Sequence, residues 1–421
     1  MRRLKIFFAA GPGDVIQAHR HWMNGEPDPS QMSLTHSGEF ADFCRQSGAD
    51  GYIVSSFGQK QIFRDAEFVI EHRPKPQSRG GIWYHLSEIR YGIGLFITAL
   101  RHRAQVAVLQ SGSTHNFVMS LFRLAGMQVI PVMHNTLWPC GSPPTGAIRR
   151  IIALLDRSFF RFAATAVIAV SPECLRQVDQ FTGGKHCPLY EMKVQFRREY
   201  FATIPAVPPH DQQPFRIMFV GRINENKGVF DVLHIASAIQ DRAPGRVAWE
   251  ICGTGPDLDE LRKRQREMKL ESIVTIHGWT PPTEMKQVIA RSHLAIVPTR
   301  SDFAEGLAAT VIEPVLAGRP VITNPVVPAL EVVKPACIEA RANDVESCVS
   351  AVLNVLGDGN HYRELCNSCP ALAEQFYDRR LGFQAVLQAV IGNRYTIAER
   401  PRAIGRRKSP DLSSIPPGRA T

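Results

Sequence analysis

Short apolar runs alternate with amphipathic stretches along nearly the whole chain, and this alternation restricts the fold more than any other feature. Alternating strand and helix predicts an α/β fold with parallel sheets covered by helices. The predicted strands of the first half are 4–10, 51–55, 67–71, 105–109, 128–133 and 165–170, and the predicted helices are 14–23, 38–47, 84–103, 117–125 and 147–163. A second series has predicted strands at 215–220, 247–252, 273–277, 293–297 and 320–323, and helices at 229–240, 257–269, 282–291, 343–356, 361–376 and 378–392.

The two series predict two domains. The chain has 421 residues, more than one ordinary domain needs. Residues 205–214 are rich in proline and polar side chains and predict a linker between them. The predicted organisation is therefore an N-terminal Rossmann-like domain at 1–204, a C-terminal Rossmann-like domain at 215–375, a helix at 376–397 that packs back toward the N-terminal domain, and a disordered basic tail at 398–421.

The net charge and the cysteine content restrict which binding partners and which cellular compartment fit this chain. The net charge of +10 and the pI of about 9.3 favour nucleic acid, an anionic membrane surface or phosphorylated small molecules. No run approaches 18 apolar residues, and the apolar segment within 1–10 is too short for a secretory signal. Nine scattered cysteines indicate a reducing compartment. We therefore expect a cytoplasmic protein, with peripheral attachment to the inner face of the membrane as a further expectation.

One stretch, 298–323, carries two carboxylates beside a predicted turn and helix. Glu305 and Glu313 are eight positions apart, and a fully helical span of that length would cover about 12 Å. That separation suits the hexose and the ribose of one nucleotide sugar. The working hypothesis is that each carboxylate accepts hydrogen bonds from one of the two sugars.

Polar turns after other predicted strands offer candidate phosphate contacts. Gly13 lies in a glycine-containing turn after the first strand, where backbone N–H groups can approach a phosphate. Arg222 and Lys227 flank the turn after strand 215–220, and two cations at such a turn can hold a diphosphate. Gly253 and Gly255 would let the backbone approach a base or ribose. Each feature also has an ordinary structural interpretation.

Two further features have open interpretations. His134 ends strand 128–133 at the edge where ligands meet parallel sheets, and either a functional or a plain loop role fits it. Residues 147–163 form a basic amphipathic helix, which fits either a solvated helix covering the sheet or attachment to an anionic membrane surface.

Together these motifs resemble the GT4 family of retaining glycosyltransferases, which have the GT-B fold of two Rossmann-like domains facing a central cleft. The resemblance is strongest over about 215–335 and looser in the first half. The motifs that carry it are Gly221-Arg222 with Lys227-Gly228, Gly253-Thr254-Gly255-Pro256, and Glu305-Gly306 followed by Glu313 and Ala317-Gly318-Arg319-Pro320.

The resemblance implies a role for each matching position. Arg222 and Lys227 would bind the donor diphosphate, Glu313 the ribose and Glu305 the transferred sugar. The backbone of 306–311 would support the phosphate and hexose. The implied catalytic residues are Glu305 and His134, and the implied donor-binding residues are Gly13, Gly221, Arg222, Lys227, Gly253, Gly255, Gly306, Thr310, Val311 and Glu313.

The implied reaction moves a hexosyl group from a nucleotide-diphosphate sugar to a glycan, lipid-linked or small-molecule hydroxyl, with the nucleotide sugar as co-substrate and no cofactor. Asp257 and Asp259 form a DxD pattern, but helix capping explains it better than a metal, so no metal is expected. A nucleotide-sugar epimerase of the same fold and a basic nucleic-acid-binding protein remain alternatives, although no nucleic-acid motif is present and no nucleic-acid partner is expected.

The chain departs from the family pattern at the opening of the carboxylate stretch. Leu307-Ala308 replaces the usual Phe-Gly, and Pro314 replaces an alanine after the second glutamate. An additional acidic-aromatic segment, 301–303, precedes Glu305. These departures bear on the choice of donor sugar.

Overall fold

The computed structural model describes residues 3–76, 80–140 and 147–392, except for the side chains of 147–149. The predicted tail at 398–421 lies outside the described residues, as does the end of the predicted helix 376–397. Within the described part the α/β class and the two mainly parallel sheets predicted from the alternation are confirmed.

The first sheet has eight strands in the order β3-β4-β2-β1-β5-β6-β7-β8. All pairs are parallel except β3 with β4. The central strands are fully buried, as expected for a parallel sheet covered on both faces. The strands are β1 (Lys5–Ala10), β2 (Asp50–Ser55), β3 (Gln61–Arg64), β4 (Phe68–His72), β5 (Val106–Gln110), β6 (Gln128–Met133), β7 (Val167–Ala169) and β8 (Leu189–Glu191).

The second sheet has six parallel strands in the order β11-β10-β9-β12-β13-β14. The predicted linker 205–214 lies between the last strand of the first sheet and the first strand of this one. The strands are β9 (Phe215–Val220), β10 (Val247–Cys252), β11 (Val274–Gly278), β12 (Leu294–Val297), β13 (Val321–Thr323) and β14 (Cys337–Glu339).

The helices cover both sheets. None in the described residues is long and apolar enough to cross a bilayer. They are α1 (Val15–Met23), α2 (His36–Ser47), α3 (Gly81–His102), α4 (Ser120–Leu124), α5 (Ala147–Ser158), α6 (Pro172–Thr182), α7 (Arg198–Ala202), α8 (Val229–Arg242), α9 (Leu258–Glu267), α10 (Pro282–Arg291), α11 (Ala309–Leu316), α12 (Ala329–Val332), α13 (Val345–Gly357), α14 (Gly359–Ala373) and α15 (Phe383–Gly392), and a π-helix at Phe159–Ala163 continues α5.

Helix α15 connects the two halves. It follows the second sheet in the chain but packs against α2 of the first. Its first residue, Phe383, is fully buried with its ring centroid 6.1 Å from that of Phe8 on β1. The side-chain carboxylate of Glu39 stabilises the first turn of α15, because Glu39 Oε1 accepts from the Gln384 N–H at 3.4 Å. Helix α15 therefore contributes to the core of the N-terminal domain.

Candidate active site

The two carboxylates of 298–323 occupy different environments. Helix α11 begins only at Ala309, so Glu305 lies in the loop before it and Glu313 on its second turn. The helical span used to estimate their separation is therefore wrong for the first half of the interval. Glu305 is 9% exposed. The two groups must consequently be considered one at a time.

Glu305 forms an ion pair with Lys227, which the sequence placed at the diphosphate. Lys227 Nζ donates a hydrogen bond to Glu305 Oε2. The same ammonium lies 4.0 Å from the ring centroid of Phe303, within range of a cation–π interaction. The inserted segment 301–303 thus places an aromatic ring on Lys227. In contrast, Arg222 is exposed and makes no hydrogen bond or ion pair within the described ranges.

The turns after β9 and β10 pack directly against each other. Gly221 N–H donates to Cys252 O at 3.0 Å, and Ile223 N–H donates to Thr254 O at 2.9 Å. A methyl group at Gly253 would overlap the Gly221 carbonyl oxygen, and one at Gly255 the oxygen of Ile223. This contact between turns is enough to require glycine at 253 and 255 without any ligand.

The DxD pattern supports the same turn. Asp257 Oδ2 accepts from the Glu225 N–H at 2.8 Å, and Asp257 makes no side-chain cap to its own helix, α9. The predicted capping role is therefore wrong in detail: Asp257 stabilises the loop that carries Lys227. Asp259 is fully solvated. No cluster of three or more metal-ligating side chains occurs in the parts of the chain that the structure describes.

Glu313 lines a cavity of about 370 Å³ between the two domains. Burial raises the pKa of its carboxyl group to about 8. No hydrogen-bond partner for this carboxyl group occurs among the described residues. A half-buried acceptor without a protein partner is suited to hydroxyl donors of a ligand. The cavity is lined by Ser30, Gln31, Met32, Ser33, Val220, Gly221, Cys252, Gly253, Trp279, Thr280, Pro282, Met285 and Glu313.

Two parts of this cavity are absent from the sequence-based prediction. Trp279 follows the carboxyl end of β11, is 69% exposed, and offers a flat ring at the wall of the cavity. The loop 30–33 supplies the wall from the N-terminal domain. An aromatic residue directly after a strand, at the same sheet edge as the glycine turns, is the signal that could have identified Trp279.

His134 lies at the end of β6, on the opposite domain. Its backbone N–H donates to Ser111 Oγ at 3.0 Å, and its ring centroid is 4.5 Å from that of His36. Burial, and secondarily the neighbouring His36, lowers the pKa of His134 well below its ordinary value. Nε2 is buried and has no partner within the described ranges. A neutral imidazole whose buried Nε2 has no partner among the described residues is suited to a ligand hydrogen bond.

The two domains touch where these residues meet. A methyl group on Gly306 would overlap the His134 carbonyl oxygen, and Cys174 Sγ donates to Gly306 O at 3.8 Å. Glu305, Gly306, Lys227 and His134 therefore belong to one cluster. Gly13 is separate.

Gly13 lies in an exposed turn after β1. Ser55 Oγ donates to its carbonyl oxygen at 2.6 Å, and a methyl group there would meet no atom within 4 Å. Among the described residues no hydrogen bond joins this turn to the second domain. The structure therefore gives Gly13 a local contact within the N-terminal domain and does not bring it into the cluster.

The start of α11 has an unusual backbone. Ala308 has φ 68° and ψ 87°, a left-handed conformation that disfavours a side chain. Val311 N–H donates to Ala308 O at 3.0 Å, whereas the N–H groups of Ala309 and Thr310 have no acceptor among the described residues. Free N–H groups at a helix start favour an anion. Thr310 and Val311 therefore lie near this possible anion site. Their side chains are not required for binding there.

Comparison with known proteins shows which family the second half of the chain resembles. Residues 201–369 match the family described as "Glycosyl transferases group 1". A search of curated proteins found no match. Sucrose-phosphate synthase from Thermosynechococcus elongatus has a similar structure, with a TM-score of 0.68 at 13% identity over 93% of this chain and 98% of that chain.

Two further solved structures show the same fold. Anabaena HepE, solved in complex with UDP, has a TM-score of 0.62 at 14% identity, covering 93% of this chain and 99% of that chain. WaaG, a glycosyltransferase involved in lipopolysaccharide biosynthesis, has a TM-score of 0.64 at 11% identity, covering 91% and 98%. The predicted resemblance is confirmed for residues 201–369, which match the group 1 glycosyl transferases, and the predicted GT-B fold is confirmed by these structures.

Proposed function

We propose that the protein is a retaining glycosyltransferase that moves a hexosyl group from a nucleotide-diphosphate sugar to a hydroxyl acceptor. The observation that carries this proposal is the unpartnered carboxyl group of Glu313 in a cavity between the domains. A ribose presents two vicinal hydroxyl groups, which a carboxylate can accept together. HepE has been solved with UDP and with UDP and glucose, which supports a nucleotide-sugar donor for this chain as well.

The positions of Trp279, Arg222 and the start of α11 suggest where the base and the diphosphate of the donor would bind. The base would occupy the part of the cavity beside Trp279, where its ring can stack. The diphosphate would lie between the ribose and the start of α11, within reach of Arg222, which makes no ion pair among the described residues, and the N–H groups of Ala309 and Thr310. Fixed positive groups around the departing diphosphate lower the energy of its developing charge.

The ion pair of Lys227 with Glu305 adds a step that depends on the donor. Within this ion pair each charge neutralises the other. A diphosphate is a stronger partner for Lys227 because it carries more negative charge. Donor binding would draw the ammonium toward the phosphates and leave Glu305 free to accept from a sugar hydroxyl. The backbone of His134 contacts Gly306 of the same cluster, and its neutral imidazole would contact the sugar from the other domain.

We propose that this chemistry needs no divalent metal, since cationic side chains and a helix start supply the charge that a metal otherwise gives. Turnover should survive EDTA. Loss of turnover with EDTA and its recovery on adding Mg²⁺ or Mn²⁺ would contradict this part of the proposal.

The acceptor would be a glycan, lipid-linked or small-molecule hydroxyl. An epimerase is less favoured, because the two carboxylates are placed for two sugars of one donor and transfer then needs only an acceptor. Incubating the protein with donor alone separates the two functions: an epimerase converts the donor sugar, whereas a transferase at most hydrolyses it slowly. A nucleic-acid-binding function predicts gel shifts that weaken with salt, without nucleotide binding.

A cytoplasmic location also remains a proposal. All nine cysteines are free, which supports a reducing compartment.

A thermal-shift panel of nucleoside diphosphates and their sugars tests the donor directly. A ligand that binds only the folded protein raises the melting temperature. One base should raise it more than the others, and its sugars should then be screened for transfer. A panel without any shift would contradict the proposed donor class.

A further inference from the structure

Exposed apolar side chains are concentrated on one face of the N-terminal domain. Of the sixteen large hydrophobic residues that are exposed among the described residues, twelve lie on α3, on α4, or on α5 with its π-helical extension. We name this set the apolar face. Its members are Ile82, Trp83, Tyr84, Leu86, Ile93, Ile97, Leu100, Leu124, Ile151, Leu154, Leu155 and Phe162.

The three helices form one continuous layer. They join β4 to β5, β5 to β6 and β6 to β7, steps that all progress in the same direction across the sheet. Right-handed crossovers place such helices on the same side of the sheet. His85 of α3 and Ile152 of α5 line a common cavity of about 180 Å³, so the outer helices are neighbours. The apolar face is therefore a single surface.

Helix α3 has an apolar outer stripe along its whole length. Its inner side packs on the core through Tyr91, Leu95 and Ala99. An ordinary surface helix would be polar on the opposite side. Here the exposed positions at helical spacing are apolar over about 27 Å, with Arg90 as the interruption. The outer residues of the stripe are Ile82, Leu86, Ile93, Ile97 and Leu100.

The part of the chain that carries these three helices accounts for a net charge close to that of the whole chain. Residues 72–172 contain eleven lysines and arginines and two carboxylates, a net charge of +9 against +10 for the whole chain. Both carboxylates are engaged: Glu88 Oε1 accepts from Lys75 Nζ at 2.8 Å, and Asp156 Oδ1 accepts from the Phe117 N–H at 2.8 Å. The exposed charges of the layer are the arginines at 90, 101, 103, 123 and 150.

Two arginines of the predicted basic helix 147–163 have a different role. Arg161 Nε donates to Thr182 O at 2.9 Å, and the guanidinium groups of Arg157 and Arg161 both lie beside Gly183. They stabilise the carboxyl end of α6, where the helix dipole favours a cation. The charge of the apolar face therefore comes mainly from its other helices.

We propose that the apolar face binds the surface of an anionic lipid bilayer, with α3 lying in the plane of the interface. Aliphatic side chains with Trp and Tyr, rimmed by arginines and free of unpaired carboxylates, have the chemistry of an interfacial membrane surface. A second copy of the chain fits less well, because its arginines would meet the same arginines. Nucleic acid fits less well because aliphatic side chains offer no stacking to bases.

The Trp83 end of this face borders the cleft. Lys75 Nζ, bonded to Glu88 of α3, also donates to Gly112 O at 2.6 Å in the turn after β5. Ser111 of that turn accepts from the His134 N–H at 3.0 Å. A protein docked by α3 would thus hold its cleft next to the bilayer, which favours the lipid-linked acceptor. This last step rests on the proposed transferase function, whereas the docking does not.

Vesicle co-flotation tests the docking. Full-length protein should float with vesicles containing about 30 mol% anionic lipid and at least about tenfold less with neutral vesicles. The variant Trp83→Ser/Leu86→Ser/Ile93→Ser removes exposed apolar groups, and Arg90→Gln/Arg101→Gln/Arg123→Gln removes exposed charge. Each should lower flotation about tenfold or more. Met23→Ser, which changes an exposed residue on α1 outside the layer, is the matched control and should float like wild type.

Three results would overturn the proposal: wild type that does not float, equal recovery with neutral and anionic vesicles, or variants that float like wild type. A wild-type dimer in sedimentation that the serine variant dissociates, without vesicle binding, would assign the face to self-association instead. RNA binding without flotation would assign it to nucleic acid. Nucleotide binding by the serine variant, measured by calorimetry, should equal that of wild type, so a failed docking is distinguishable from a failed donor site.

Discussion

In the proposed donor site, ionisation of Glu313 would affect both the stability of the fold and donor binding. Burial raises the pKa of its carboxyl group to about 8, from 4.5 for an ordinary glutamate. Between these pH values the folded protein keeps a proton that the unfolded chain has released, so the free energy of unfolding falls as pH rises. The full shift corresponds to about 4–5 kcal/mol at about 1.4 kcal/mol per pKa unit, and solvent in the cavity reduces the expected cost to about 2 kcal/mol.

Replacing Glu313 with glutamine removes the ionisation and keeps the shape of the side chain. Above pH 8 the variant should be more stable than wild type by about 2 kcal/mol, which raises the melting temperature by several degrees. The advantage should shrink toward pH 5, where the folded wild type is protonated. Calorimetric melting of both proteins across this range measures the difference.

The same substitution should weaken the donor site. In the proposed donor site an ionised Glu313 accepts from the ribose, so wild-type affinity for a nucleotide sugar should rise between pH 6 and pH 8. The glutamine variant should lose this rise and bind about tenfold more weakly at pH 8. A melting difference that is the same at every pH, together with unchanged nucleotide-sugar affinity, would refute the reasoning.

Three other substitutions test the cluster around the ion pair. Glu305→Gln should lower turnover about 100-fold with donor affinity changed only a few-fold, as judged by kcat and by calorimetry; a loss confined to affinity would contradict the assignment. Gly306→Ala must displace the His134 backbone, and a shift of about 1 Å should cost about 100-fold in kcat while nucleotide binding by the C-terminal domain persists; unchanged kcat would show that the domain contact is not used. Phe303→Leu removes the ring from Lys227, worth about 1 kcal/mol, and should alter KM for the donor about fivefold; an unchanged KM would make that ring a structural group only.

Much of the fold could be predicted because central parallel strands are continuous apolar runs. The strands that the sequence did not predict, β3, β8 and β14, all lie at sheet edges. They are four, three and three residues long, and polar or charged side chains interrupt each of them. Short edge strands are formed by pairing with a neighbour, which a local pattern does not contain.

The sequence predicted which residues belong to the candidate site better than it predicted the contacts that those residues make. Glu313 follows from its place on an apolar helix after a strand. The pairing of Lys227 with Glu305 joins residues 78 positions apart, and only the fold brings them together. Gly253 was predicted from its sequence motif, but the motif does not show a ligand contact. The neighbouring turn requires glycine there whether or not a ligand binds.

One departure from the family pattern, Ala308, leaves the local backbone conformation unchanged. Ala308 stands where the family usually has glycine, and its backbone keeps the left-handed conformation at φ 68°. The conformation costs about 1 kcal/mol for a residue with a side chain. Ala308 lies between Glu305 and the start of α11. The fold therefore keeps the left-handed backbone at this point even though the residue is an alanine.

Calorimetric titration with nucleoside diphosphates tests the central claim, that a nucleotide-sugar donor binds the second domain through its diphosphate and ribose. We predict that at least one nucleoside diphosphate binds wild type with a Kd of about 1–100 μM, and that Arg222→Ala/Lys227→Ala weakens it about tenfold or more. The apolar-face variant Trp83→Ser/Leu86→Ser/Ile93→Ser should bind like wild type. Absence of binding for every base, or equal affinity in the Arg222 and Lys227 variant, would contradict the account.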